Sequence, residues 1–314
     1  MRSFYLGMII FFILVSHPVW ARPLLPSPKP SAMDLRVTKS SHLRATDLFR
    51  IPQIAASLQP AALGSYTRGC LAGAQKLEES GPSWQAMRLS RNRYWAHPLT
   101  VRLVKKLAVS AKTNDGWNGL LVGDLSMPRG GPMWPSHNSH QNGLDVDIWL
   151  IPMPNRRLSK KEREKFPAKQ LITKDHLSVD HTIWTNSHSK LIKRAASFKE
   201  VQRVLVHPAI KRELCRTAGS DKAWLSKVRP VRGHYFHFHI RLRCPPGSNE
   251  CKPQKEPEAK DGCGAEIDRW YAWLRARLKL KLRKFETENT SKRKRHWITM
   301  HELPASCKTV LKVP

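Results

Sequence analysis

Ser136-His137-Asn138-Ser139-His140-Gln141-Asn142-Gly143-Leu144-Asp145-Val146-Asp147-Ile148-Trp149-Leu150-Ile151 is the stretch from which the fold is read. Its second half, residues 145–151, has the apolar and β-branched content of a strand, and its first half is polar and turn-forming. Side chains at i and i+2 of a strand point to the same face, so Asp145 and Asp147 share one. Gly143 gives the loop the freedom to turn just ahead of them. A second alternating run lies far downstream, in Gly233-His234-Tyr235-Phe236-His237-Phe238-His239-Ile240-Arg241, and residues 234–242 read as a further strand. There His237 and His239 share a face. If the two strands are neighbours, Asp147 and His239 converge. His140, seven residues ahead of Asp147 on the entering loop, comes with them.

Imidazole nitrogens and a carboxylate are zinc donors, and a catalytic zinc site has three protein ligands and one open position. The spacing therefore predicts His140, Asp147 and His239 around one Zn2+. His237 is left beside the ion, suited to proton transfer near neutral pH. Five of the 14 histidines fall in these two segments, and the pair of segments is far more specific than either alone. The sequence contains no HExxH, GxSxG, P-loop or GxGxxG, so helical zincin, serine hydrolase and nucleotide-binding layouts have no support.

Working outward, residues 98–111 carry apolar residues at helical spacing. Residues 119–124 read as a short buried strand. Residues 189–196 read as a helix, followed by a strand over Val201–Val206. Residues 270–284 interleave leucines with Lys and Arg, and leave helix and strand open. The fold class is α+β: a small, mainly antiparallel sheet carrying the zinc site, with flanking helices, long loops and disulfides.

The 314 residues carry 55 Lys and Arg against 24 Asp and Glu, a formal net charge of +31. With 40% hydrophobic residues a real core is affordable, which argues against full disorder. One long apolar run exists, at the N-terminus, so a multi-span membrane protein is excluded. Residues 1–21 read as a cleaved export signal: Arg2, then the apolar run 6–15, then Val19 and Ala21 where a signal peptidase reads. The expected location is periplasmic. Residues 22–59 form an N-terminal segment whose first part, to about Leu48, carries Pro23, Pro26, Pro28 and Pro30 and reads as an extended linker. Residues 60–265 read as the folded domain that carries the zinc site and 266–314 as a basic extension. The run Lys292-Arg293-Lys294-Arg295 is either a solvated tail or a contact for an anionic wall or membrane surface. No RRM- or KH-type motif points to nucleic acid.

Six cysteines, Cys70, Cys215, Cys244, Cys251, Cys263 and Cys307, include no CxxC pair. Behind an export signal they read as three disulfides. Spacing alone leaves the pairing open. Cys244 and Cys251 flank the turn-forming Pro-Pro-Gly-Ser-Asn-Glu, which suits a local bridge.

The pattern His137-xx-His140-xxxxxx-Asp147 with His237-x-His239 resembles the penicillin-insensitive murein endopeptidases, within the zinc peptidases that include lysostaphin-type and D-Ala-D-Ala-type enzymes. The resemblance extends to Ser90-Arg91-Asn92-Arg93, Val122-Gly123-Asp124 with Met127-Pro128, Val206-His207-Pro208-Ala209-Ile210-Lys211, Lys227-Val228-Arg229-Pro230 and Arg241-Leu242-Arg243-Cys244-Pro245, over residues 60 to 265. It implies His140, Asp147 and His239 as zinc ligands and His237 as a non-ligand active-site histidine. It makes His137 and His234 further pocket histidines, either of which can touch the metal. It implies the bridges Cys70–Cys307, Cys215–Cys263 and Cys244–Cys251. It also implies cleavage of D-alanyl to meso-diaminopimelyl cross-links in peptidoglycan. The family's second metal position falls near Asp175, His176, Asp180 and His181, whose spacing does not align with it.

No glutamate sits beside the ligands, so His237 takes the role of base, with His234 or His137 as the oxyanion donor; these roles are interchangeable at this level. Arg91 and Arg93 are candidate clamps for substrate carboxylates, since a guanidinium fork pairs both oxygens. Two other readings share parts of the pattern: a zinc D,D-carboxypeptidase trimming stem peptides, and a non-catalytic polyanion- or wall-binding protein.

Overall fold

A computed structural model describes residues 44–133, 136–284 and 297–314. The expected signal segment and the Lys292-to-Arg295 run lie outside the described residues. In chain order the helices and strands are α1 (Ala45–Phe49), β1 (Ala61–Ser65), β2 (Arg68–Ala72), β3 (Gln75–Lys76), β4 (Ser80–Gly81), β5 (Trp84–Ala86), β6 (Trp95–Ala96), α2 (Pro98–Asn114), β7 (Leu120–Val122), β8 (Asp145–Pro152), α3 (Lys160–Lys165), α4 (Asn186–Ser197), β9 (Val201–Val206), α5 (Pro208–Thr217), β10 (Val228–Pro230), β11 (His237–Leu242), α6 (Ala265–Lys284) and α7 (Ser306–Lys312).

Seven strands make the main sheet, in the order β10-β9-β11-β8-β7-β5-β4. Its centre, β9-β11-β8-β7, is antiparallel throughout. The sheet is open, helices flank it, and the class is α+β as the sequence predicts. β11 lies beside β8 in the register Phe238↔Ile148, His239↔Asp147, Ile240↔Val146 and Arg241↔Asp145. The even-numbered residues Val146, Ile148, Leu150, Phe238, Ile240 and Leu242 enter the principal core. There they meet Val104, Leu107 and Ala111 of α2 and Leu191 and Ile192 of α4. The odd-numbered Asp145, Asp147, His237, His239 and Arg241 are consigned to the opposite face.

α2 begins at Pro98, whose fixed φ suits the first helical turn, behind His97, whose Nδ1 accepts from the Leu99 N–H at 3.2 Å. Its apolar stripe, Val101, Leu103, Val104, Leu107, Ala108 and Ala111, is buried as the helical period requires.

Two local expectations are corrected and one open reading is resolved. The stretch read as extended linker to about Leu48 ends in α1, whose Leu48 and Phe49 are almost wholly buried. Their partners are Met127, Met133, Met300 and Val310, which no local window reveals. The strand expected from residue 234 starts at His237, because Gly233 and His234 both take left-handed backbone, φ 75° and 59°. Residues 270–284 are helical: Ile267, Tyr271 and Leu274, spaced i, i+4, i+7, bury one face of α6.

The first and last described segments meet in a second core. α1, β1, β2 and α7 contribute to it, and Cys70 of β2 is bonded to Cys307 of α7. Cys215–Cys263 and Cys244–Cys251 complete three disulfides. Among the described residues no helix is long and apolar enough to cross a membrane.

Candidate metal centre

The loop from Gly130 to Leu144 enters β8 through Gly143, whose φ of 75° is left-handed. A Cβ there would sit 2.8 Å from the backbone nitrogen of His97 and 2.5 Å from Leu71 Cδ2, so only glycine fits. The Gly143 carbonyl accepts from His97 N and Thr100 Oγ1, which ties the loop to the start of α2. Gln141 ties the loop to β2: its side-chain carbonyl accepts from Gly69 N and its amide donates to the Thr67 carbonyl. His140 itself has a left-handed φ of 69°, uncommon for a residue with a Cβ. Its N–H donates to Asp145 Oδ2 at 2.9 Å, which compensates the strained backbone.

The structure brings His140, Asp147 and His239 together. His140 Nε2 lies 3.1 Å from His239 Nδ1 and 3.4 Å from Asp147 Oδ1, and His239 Nδ1 lies 3.2 Å from Asp147 Oδ1. All three are buried. The outward nitrogens are already committed. His140 Nδ1 faces the Leu125 carbonyl at 2.7 Å, and His239 Nε2 faces Asp145 Oδ1 at 2.8 Å. A carbonyl and a carboxylate only accept, so both outward nitrogens carry protons; with the rings neutral, both inward nitrogens present lone pairs. Asp147 Oδ1 is buried and has no hydrogen-bond partner. Three acceptors thus face one another across little more than 3 Å. Such a group repels itself unless a cation stands between its members. The donor set, two imidazoles oriented from behind and one orphaned carboxylate oxygen, fits a divalent metal ion.

His137 joins more loosely. Its donor atom, with those of His140 and Asp147, falls in a set within 4.8 Å. Its Nε2 is bonded to Asp124 Oδ2 at 2.9 Å, and its Nδ1 stands 3.8 Å from Asp147 Oδ2. The His239 triad is the tighter of the two because adjacent strands in register hold it. His237 Nε2 lies 3.6 Å from Asp147 Oδ2, while its Nδ1 is buried without a partner. The His234 ring lies 4.9 Å from that of His237 and 5.8 Å from that of His239.

The electrostatics follow from burial and charge together. Burial works against ionised Asp145 and Asp147. For Asp145 the Arg241 guanidinium and His239 outweigh it; for Asp147 the surrounding histidines do. Both carboxyls are held well below the usual range. Burial likewise opposes charge on His239, but Asp145 and Asp147 prevail and raise its pKa. Burial depresses His237 with only partial relief from Asp147, and takes His234 down to about 3, helped by the neighbouring histidines. Both are therefore neutral imidazoles at neutral pH.

Arg91 and Arg93 reach Asp124 Oδ2 at 3.1 and 3.0 Å. Burial raises the Asp124 carboxyl, but the His137 hydrogen bond and the two guanidiniums overcome this and bring it to about 2. Arg91 is 46% exposed at its side chain and Arg93 only 11%. Asp175 Oδ1 accepts from Thr173 Oγ1 and Leu177 N, and Asp180 Oδ1 from Thr182. Neither they nor His176 and His181 join a ligand-spaced group of three among the described residues.

Sequence reasoning assigned no role to Asp124, Asp145 or Arg241. Asp145 was visible as the same-face neighbour of Asp147, and its pairing with Arg241 Nε at 2.8 Å follows from the register. Asp124 had no comparable signal, because its partners come from separate segments.

The family model described as penicillin-insensitive murein endopeptidase matches residues 62–312. Proteins of that name are similar over most of their length. One from Klebsiella pneumoniae is 42% identical over 236 residues, 75% of this chain and 85% of that protein. One from Haemophilus influenzae is 43% identical over 211 residues, 67% and 72% respectively. One from Escherichia coli is 41% identical over 237 residues, 75% and 85%. With two imidazoles and a carboxylate closing at one point inside a match of this extent, the chain belongs to the penicillin-insensitive murein endopeptidase family.

Proposed function

We propose that this chain is a zinc-dependent murein endopeptidase that hydrolyses the D-alanyl–meso-diaminopimelyl amide cross-links of peptidoglycan, in the periplasm, after loss of residues 1–21. The observation that carries the reading is the convergence of His140, Asp147 and His239 at 3.1 to 3.4 Å from two neighbouring strands and one loop. Tetrahedral zinc with bonds of about 2.0–2.1 Å keeps its ligand atoms about 3.3 Å apart, which is the spacing found. His137 is a further candidate ligand.

The chemistry supplied at such a site is Lewis-acid polarisation of the scissile carbonyl and acidification of the attacking water. The rest falls to the protein. His237, a neutral imidazole beside Asp147, accepts the water's proton and returns it to the leaving amine. His234 Nδ1 faces the Arg232 carbonyl at 3.0 Å, so as donor to the oxyanion that develops on the substrate carbonyl His234 would have to gain a proton on Nε2; His137 is the other candidate for that role. Asp145 and the Leu125 carbonyl hold the tautomers of His239 and His140, so the pocket needs no rearrangement to bind the metal. The half-exposed Arg91 is the arm able to take a substrate carboxylate. Arg93, largely covered, serves by holding Asp124.

The test is metal content and digestion together. Purified mature protein should carry about one zinc per chain, and Asp147→Asn and His239→Ala should lose it and melt at a lower temperature in zinc-containing buffer than the parent. On purified murein, the parent should remove dimeric muropeptides, and a chelator should stop it. Release of D-alanine with dimers left intact would make it a carboxypeptidase. Wall binding with no bond cut after zinc is restored would make it a binding protein.

A further inference from the structure

α6 and the 231–236 loop enclose a groove of about 380 Å³, within the size range of small-ligand sites. It borders the loop that carries His234. Gly233 and Tyr235, both on its wall, flank His234, and the His234 carbonyl is bound by the N–H of His207, which also lines it. We propose that this groove is a docking subsite for the carboxylate-bearing stem peptides of a murein strand, extending the site beyond the scissile bond.

Charge is the main argument. Lys174, Arg232 and Arg277 line the groove, all three are exposed, and none pairs with a carboxylate among the described residues. The acidic residue present, Asp175, already spends one oxygen on Thr173 and Leu177. The two guanidiniums are not free-swinging. Arg232 stands 5.2 Å and Arg277 5.5 Å from the centroid of the Trp273 ring. Stacking of this kind positions a guanidinium while leaving its N–H fork open for a bidentate carboxylate. Trp273 and Leu278 supply an apolar wall for the uncharged part of a peptide. A lipid surface is the poorer occupant, because the cations bracket a concavity that runs into the His234 loop.

The identity of the ligand rests on the proposed murein hydrolysis; the groove and its charge do not. Binding of the full mature chain to purified sacculi, measured by pelleting with a chelator present to stop cleavage, reads the groove alone. Cleavage of a short soluble cross-linked muropeptide reads the metal centre alone. Arg277→Glu and Arg232→Ala should each weaken sacculus binding by roughly tenfold, the size of one charge-assisted pair. Both should leave the turnover of the short substrate and the melting temperature unchanged, and Arg277→Lys should fall between. Sacculus binding equal to that of the parent in both glutamate and alanine variants would overturn the proposal. So would a loss confined to phosphatidylglycerol vesicles. If the parent pellets with sacculi through these arginines yet never cuts the short substrate, the hydrolase reading fails and the subsite stands.

Discussion

His97 and His207 do the same work at two helix starts. Each precedes a proline, and each accepts a backbone N–H through Nδ1, from Leu99 and Ala209. Burial lowers both to about 4, with Arg102 adding to the effect on His97 and His176 to that on His207. In the unfolded chain each takes a proton near pH 6.5. Between about 6.5 and 4 the unfolded state thus binds more protons, and folding stability falls as the pH falls through that window, by an order of 3 kcal/mol for each histidine. The drop in melting temperature between pH 7.5 and 4.5 should be smaller in His97→Asn, which keeps a capping acceptor that does not titrate. At the metal centre, His237→Ala should keep its zinc and lose a factor of roughly 10² to 10⁴ in turnover; an unchanged rate removes His237 from the reaction. The convergence at the candidate metal centre was legible because a period of two is a property of the strand itself. His140, Asp147 and His239 followed from alternation and one adjacency. Asp124 did not, since His137, Arg91 and Arg93 reach it from two distant loops, and no periodicity links them.

Among elements, β11 bears the greatest load. It is hydrogen-bonded on both sides, and it divides the apolar core from the charged face. Phe238 is fully buried, and Phe238→Ala should cost about 3–5 kcal/mol in a denaturant titration. The C-terminal carbonyls of α7 are met by one side chain from elsewhere. Arg129 Nη1 donates to the carbonyls of Val310, Leu311 and Val313 at 2.8, 3.0 and 2.6 Å, occupying acceptors that a helix C-terminus leaves open. Arg129→Met should lower the melting temperature by the equivalent of about 1–3 kcal/mol, the cost of buried acceptors left unpaired. α6 shows why some elements were half-legible. Its leucines alternate late in the helix, but the deciding apolar positions, Ile267, Tyr271 and Leu274, lie earlier. Tyr271 is anchored by donating to the Leu177 carbonyl at 2.6 Å, a contact with a distant loop.

The described molecule is closed where its first and last segments meet. Cys70 and Cys307 are 237 residues apart in sequence, against 7 for Cys244 and Cys251. In the chain-entropy view the long closure contributes on the order of 5 kcal/mol and the short one roughly half that. Replacing both members of the long bridge by alanine should therefore lower the melting temperature more than the same change in the short one. The alternating strands, α2 and the class of the fold could be read from local pattern. The end-to-end joining could not, because Leu48 and Phe49 find their neighbours only after the rest has folded. That joining also sets a timetable. β2, which props the His140 loop through Gly69 and Gln141, is made well before its covalent anchor, which lies 237 residues further along the chain. The prop is finished only when Cys307 has been made and the two thiols have been oxidised. On the proposed function, a nascent or unexported copy lacks this clamp, and full competence to cut the wall arrives only on the wall's own side of the membrane.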